Sequence, residues 1–228
     1  MKGFDESKHP RDETGKFTEG VGTEAEQKRV EELTKDANTG TIQSRERTPF
    51  GEAKHKEYLD ALVIAKKTLS PKIAWRVADY NGSIEEFKVS HPNATLHITA
   101  GGSTVAVEEN GDIVAVCKND NDIVSGSYLI QQAVANGGTK LDSYAGNHDF
   151  YCKNGFEPVS WCAFNEEYAP HDWKSNMVGY EKEAIIFYRY TGKKSTESAK
   201  EFCARVPASE DYDTAMQIRD NKMEEENK

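Results

Sequence analysis

Between Asp112 and Val159 the chain alternates two hydrophobic periods, and that alternation limits its fold more than any other feature. Asp112-Ile113-Val114-Ala115-Val116-Cys117 is a β-branched run, and Asn119-Asp120-Asn121-Asp122 is a turn cluster. Ser125 to Asn136 then carries Leu129, Ile130, Ala133 and Val134 at the spacing of a helix with one buried stripe. Gly137-Gly138 stops that helix, and Lys140-Leu141-Asp142-Ser143-Tyr144 is a second strand. A short helical turn from Asn147 to Asn154 follows, and Gly155-Phe156-Glu157-Pro158-Val159 opens another strand. A strand entering a helix through a polar turn leaves first-turn N–H groups without intrahelical partners, so Ser125, Gly126 and Ser127 are a candidate phosphate site.

The elements around this β-α-β unit are read the same way. Glu52 to Leu69 predicts a helix burying Tyr58, Leu59, Leu62, Val63 and Ala65, ended by Ser70-Pro71. Ile73 to Tyr80 reads as a strand, and Ile84, Phe87 and Val89 as a brief helix. Leu96–Ala100, Thr104–Glu108 and Asp112–Cys117 form a meander, with Asn110-Gly111 as a hairpin signal. Val159–Phe164 continues a strand, 165–179 is an aromatic and acidic loop, and Glu183–Tyr190 is the clearest strand. Ala199, Phe202, Cys203 and Val206 mark a short helix broken by Pro207, and Tyr212 onward marks a second that frays into Glu224-Glu225-Glu226. The expected fold class is therefore α/β of the α+β kind, a mixed, mostly antiparallel sheet flanked by helices. Residues 1–50, polar and poor in aliphatics, are expected to be an arm with one isolated helix at Thr23–Asp36, and 193–228 a helical tail. That leaves 51–192 as the domain, and such arms serve to dock a partner or a second copy.

At 228 residues and 36% hydrophobic content the chain can bury one substantial core. A formal charge of −10 argues against general nucleic-acid or membrane-surface binding, since phosphates and anionic lipids select clustered Lys and Arg. No run approaches the roughly 18 apolar residues of a membrane span, and Met1–Glu6 lacks a signal-peptide core, so a cytoplasmic location is expected. Cys117, Cys152, Cys162 and Cys203 form no CxxC pair and read as free thiols, with no metal site expected.

Tyr151-Cys152-Lys153-Asn154-Gly155-Phe156 fits the Tyr-x-Lys-x-Gly-Phe signature of the GNAT N-acetyltransferase superfamily, and the order of elements from about Ala74 to Gly192 resembles that superfamily's. The resemblance implies a fourth strand splayed from the fifth, with acetyl-CoA or another acyl-CoA in the cleft between them. It implies that Val116, Cys117 and Lys118 line the cofactor, that Ser125, Gly126 and Ser127 hold its pyrophosphate, and that Asn147, Tyr151 and Lys153 complete the site. Tyr151 would be the general acid that protonates the departing thiolate. The family's phosphate turn is Arg/Gln-x-x-Gly-x-Gly/Ala; here Asn121 stands at the first position and Val124 at the first glycine. His9–Phe17 resembles a short peptide of many phage-encoded proteins, which implies a phage origin, action in the host cytoplasm and a place in or near the virion.

The base that takes the amine proton is open among Glu108, Asp142, His97 and His148; Asp142 is preferred, because a carboxylate within a β-run needs a partner. Adjacent helical residues point to different faces, so Asn147-His148-Asp149 is not read as a metal site or a triad. Glu108, Tyr168 and Trp173 are candidate substrate contacts, the acidic loop suiting a cationic amine on a small molecule or a protein. The expected function is acyl-CoA-dependent N-acyl transfer. The rival is an inactive binding or inhibitor protein of the same fold, favoured by Val124 and Asn121.

Overall fold

The computed structural model describes residues 51–78, 84–170 and 173–226. The 1–50 arm and its Thr23–Asp36 helix lie outside the described residues. The described part is a mixed α/β fold with two small antiparallel sheets and seven helices.

The first sheet has the order β1-β2-β3-β4: β1 (Gly51–Glu52), β2 (Thr95–Ile98), β3 (Thr104–Val107) and β4 (Ile113–Cys117). Three helices precede β2: α1 (His55–Thr68), α2 (Pro71–Ala74) and α3 (Ile84–Ser90). α4 (Gly126–Ala135) follows β4, then come β5 (Lys140–Tyr144), a 3₁₀ turn at Ala145–Asn147 and α5 (His148–Lys153). β6 (Phe156–Cys162) and β7 (Ile185–Tyr190) complete a second sheet of order β5-β7-β6, with a 3₁₀ turn at Glu166–Tyr168 between them. α6 (Ala199–Arg205) and α7 (Tyr212–Glu226) end the chain.

Alternation along each strand sorts the core into two faces. Val105, Val107, Ile113, Leu141, Ile186 and Tyr188 turn to the face covered by Ile130 and Ala133 of α4, Tyr151 and Cys152 of α5 and Phe202 of α6. Leu96, Ile98, Ala106, Ala115 and Cys117 turn to the other, against Tyr58, Leu59, Leu62 and Ala65 of α1 and Phe87 of α3. On that second face α7 covers the second sheet, with Ala215 and Met216 against Cys162, Ile185 and Phe187.

Among the described residues the two sheets are joined by backbone pairing at one point. Asp112 and Lys140 form an isolated parallel bridge, and the Thr139 N–H donates to the Gly111 carbonyl at 2.8 Å. Beyond it, among the described residues, no ladder joins β4 to β5, so the parallel strands touch at their start and then part. β4 also carries a bulge: Thr104 pairs with Cys117 and Ala106 with Val114, so Ala115 and Val116 together oppose Val105. Ala115 takes φ 48°, the left-handed region a side chain seldom occupies, and the bulge sets Val114 and Ala115 toward the same core.

Two elements differ from the sequence reading. Ile73 to Ala78 is not a strand: Pro71 starts α2, its fixed φ and missing N–H suiting a helix's first turn, and Trp75 to Ala78 continue as turn; 79–80 lie outside the described residues. The predicted helix from Glu52 begins only at His55, because Gly51 and Glu52 pair with Ile98 and His97 as an edge strand. The helical C-terminal segment is packed into the fold, as Ala215 and Arg219 are buried.

Candidate functional site

The C-terminal ends of β4 and β5 and the N-terminal ends of α4 and α5 converge where the strands have parted. Ser125 caps α4, its hydroxyl accepting from the Tyr128 N–H at 3.1 Å, which leaves the Gly126 and Ser127 N–H groups as the orphan donors of the first turn. A Cβ on Gly126 would lie 3.2 Å from the Phe150 ring, so the absence of a side chain is what lets α5 lie against this end of α4.

The turn before α4 is locked from within. Asp122 sends its carboxylate into the β2–β3 turn, accepting from the Thr99 hydroxyl, from the Ser103 hydroxyl at 2.7 Å and from the Ser103 N–H at 3.4 Å. Its other oxygen accepts from the Val124 N–H at 3.3 Å. Burial alone would raise the Asp122 pKa, but the bonds from Ser103, Thr99 and Val124 outweigh it and hold the carboxyl below its ordinary value. Gly101 gives this carboxylate its room, since a Cβ there would lie 2.2 Å from the Asp122 Cγ.

Tyr151 lies behind β5. Its ring packs among Phe150, Phe156 and Tyr188, and its phenol lies near Ser143. The Ser143 hydroxyl accepts from the Asn147 amide at 3.0 Å, which ties the head of α5 to β5. Burial pushes the phenol up to about 12, outweighing the influence of Ser143, and the Asp142 charge adds to the rise. Asp142 is Ser143's neighbour but lies on the opposite face, accepting from the Tyr212 hydroxyl at 2.9 Å. Burial raises its pKa against the Tyr212 bond, with repulsion from Asp112 adding to the rise.

The other sequence candidates divide. Val116 packs, half-buried, against the Tyr151 side of the core, whereas Cys117 is buried on the α1 side. Lys118 donates to the Asn119 carbonyl at 3.2 Å at the open end, and Lys153 is exposed on α5. Glu108 stands apart, paired with His91 at 2.6 Å by the β3–β4 hairpin, at the joined end of the strands. Tyr168 is exposed, while Trp173 packs against Phe164, which in turn packs on Tyr144 at the end of β5. His97 is buried within β2. His148 has one ring nitrogen on the Tyr188 hydroxyl and the other on the Glu197 carbonyl, which makes it a structural histidine. The four cysteines are free.

Sequence reasoning missed the Ser143 link, although its alternation with Leu141 puts it on the Tyr151 side. It missed the Asp122 network, whose partners Thr99 and Ser103 are remote in the chain. Among the described residues no helix is long and apolar enough to cross a membrane. Compared with protein-family models, curated proteins and solved structures, the chain matches none of them.

Proposed function

We propose that this chain is a divergent GNAT-type acyltransferase that moves an acyl group from an acyl-CoA to an amine by direct attack. The observation that carries the reading is the parting of β4 and β5 from a single bridge at Asp112 and Lys140, with a bulge in one strand and Tyr151 behind the other. A bulge leaves strand amides unpaired beside the opening, and Gly126 and Ser127 offer first-turn N–H groups at its end.

Bound acyl-CoA supplies a thioester carbon for the amine to attack. Gly126 and Ser127 hold the pyrophosphate, Lys118 and Lys153 add positive charge, and Val116 lines the acyl end. Asn147 holds Ser143 beside the Tyr151 phenol. As nitrogen bonds to carbon and carbon parts from sulfur, Tyr151 gives its proton to the sulfur and Asp142 takes one from the amine. Asp142 acts from the other face of β5, so Tyr212 must yield its hydrogen bond first. Trp173 and Tyr168 stand where the amine enters, on a small molecule or a protein. The phage-like His9–Phe17 segment supports action in the host cytoplasm, with the 1–50 arm docking a virion or host partner or a second copy.

Two observations favour a second reading, a binding protein of this fold without transfer. Asp122 already takes the Val124 N–H and puts a carboxylate inside the phosphate turn. A phenol held at about 12 gives its proton uphill to a thiolate whose acid titrates near about 8.5. Steady-state assay of acetyl-CoA consumption with a panel of amines separates the two. Turnover lost in Tyr151→Phe supports the enzyme, and saturable acetyl-CoA binding without turnover on any amine supports the binding protein.

A further inference from the structure

A concave site lies at the end of the second sheet, where β7 runs out into the linker to α6. It is a cavity of about 660 Å³ whose lining includes Glu157, Arg189, Tyr190, Lys193, Lys194 and Arg205, together with Glu197 and Met223. That volume is within the ordinary range for small-molecule pockets.

Its linker is pinned. The Gly155 carbonyl accepts from both the Thr191 and Gly192 N–H groups at 3.0 Å, and the Ser195 N–H donates to the Cys152 carbonyl at 3.3 Å. The Lys193 and Glu197 N–H groups are taken by the Thr191 and Ser195 hydroxyls. Lys193 and Lys194 therefore project from a fixed backbone.

The charges do not cancel. Glu157 is held by Arg189 through bonds of 2.9 and 2.7 Å, and Glu197 by Arg205 through two of 2.8 Å. Both carboxylates are thus matched by arginines, which leaves the two lysine ammonium groups in excess on a chain whose formal charge is −10. Beside them the Tyr190 ring, 40% exposed, is backed by Phe156 at 5.2 Å, and the Met223 side chain borders the same cavity. A dianion on the lysines and a flat ring on Tyr190 use every unengaged feature of this lining.

We infer that this cavity binds a phosphate-bearing planar molecule of nucleotide size, with its phosphate on Lys193 and Lys194 and its ring on Tyr190. The site is separate from the β4–β5 opening, and the inference does not rest on acyl transfer.

The test is amide chemical-shift mapping on the full chain with AMP, adenosine, inorganic phosphate and an oligoglutamate peptide as separate probes, repeated on the double variant Lys193→Glu, Lys194→Glu. AMP is expected to move Tyr190 to Ser195 saturably and to weaken as salt rises. The double variant, altered only at exposed positions, should keep its thermal midpoint and bind AMP at least about tenfold more weakly, a loss of about 1.4 kcal/mol. Adenosine or phosphate alone binding as tightly as AMP overturns the inference. So does tighter binding of the peptide, an AMP response confined to Ser125–Ser127, or no response at millimolar AMP.

Discussion

Arg219, near the end of the chain and 1% exposed, grips Asp112 at the foot of β4 with two hydrogen bonds of 3.1 and 3.3 Å. The same guanidinium bonds Asp220 at 2.8 Å and lies over the Phe187 ring, while Lys140 reaches both carboxylates. Helix α7 thus fastens the one place where the two sheets join. Arg219→Ala should cost about 3–5 kcal/mol, because it leaves carboxylates without their buried partner. Urea denaturation measures this, and the Asp112→Ala, Arg219→Ala cycle should show strong coupling; additive losses would mean that the Arg219–Asp112 pair does not fasten α7 to β4.

The Asp122 network predicts a sign for the pH dependence of stability. Its folded pKa lies below the ordinary carboxylate value, so its contribution is fully present above about pH 4 and is lost as pH falls through the folded pKa. Asp220 is depressed as well, burial being outweighed by its bonds to Arg219 and Lys140, and adds loss in the same direction. Asp122→Asn should be less stable at neutral pH and flatten the acid limb of stability against pH. Gly101→Ala should destabilise by about 1–3 kcal/mol, since its methyl would enter the space of the Asp122 carboxylate. An unchanged acid limb in Asp122→Asn would remove the carboxylate from the account.

Much of this arrangement is legible in the sequence, and what escapes has physical reasons. β4, α4, β5 and α5 lie within about two residues of their hydrophobic patterns, because each buries one clear stripe or face. The bulge at Ala115 does not show, since alanine announces no positive φ; glycine would have. The docking of α7 does not show either, because its deepest contact is made by an arginine and its apolar face is little more than Ala215 and Met216. Ile73 to Tyr80 reads as a strand in the sequence, but Pro71 starts a helical turn and Trp75 packs against Tyr144 and Tyr180. Tyr151 could be placed on its helix from the Gly-Phe that follows. Its neighbour Ser143 needed the strand pairing.

In the proposed mechanism Asp142 separates catalysis from stability. Its pKa is raised in the fold, so the folded state prefers it protonated and stability falls as pH rises from the ordinary value toward the folded one. Asp142→Asn should raise the thermal midpoint at neutral pH while abolishing amine acetylation. Full activity in that variant would assign the base elsewhere.

Tyr151→Phe removes only the hydroxyl from a packed ring. The variant should lose no more than about 1 kcal/mol of stability, keep acyl-CoA affinity within a few-fold and lower turnover by roughly 10²-fold. Stopped-flow single-turnover rates check it; unchanged turnover with the same loss of stability would make Tyr151 structural.

On the proposed function, acyl-CoA enters the opening between β4 and β5 and sets its pyrophosphate on Gly126 and Ser127. Calorimetric titration of acetyl-CoA into the full chain and into Val124→Gly tests this most directly. One saturable site per chain is expected, tighter in Val124→Gly because the turn can then approach the phosphates closely. Stabilisation of about 2.7 kcal/mol at one hundred times Kd is also expected. No heat from either protein at millimolar acetyl-CoA would contradict the proposal.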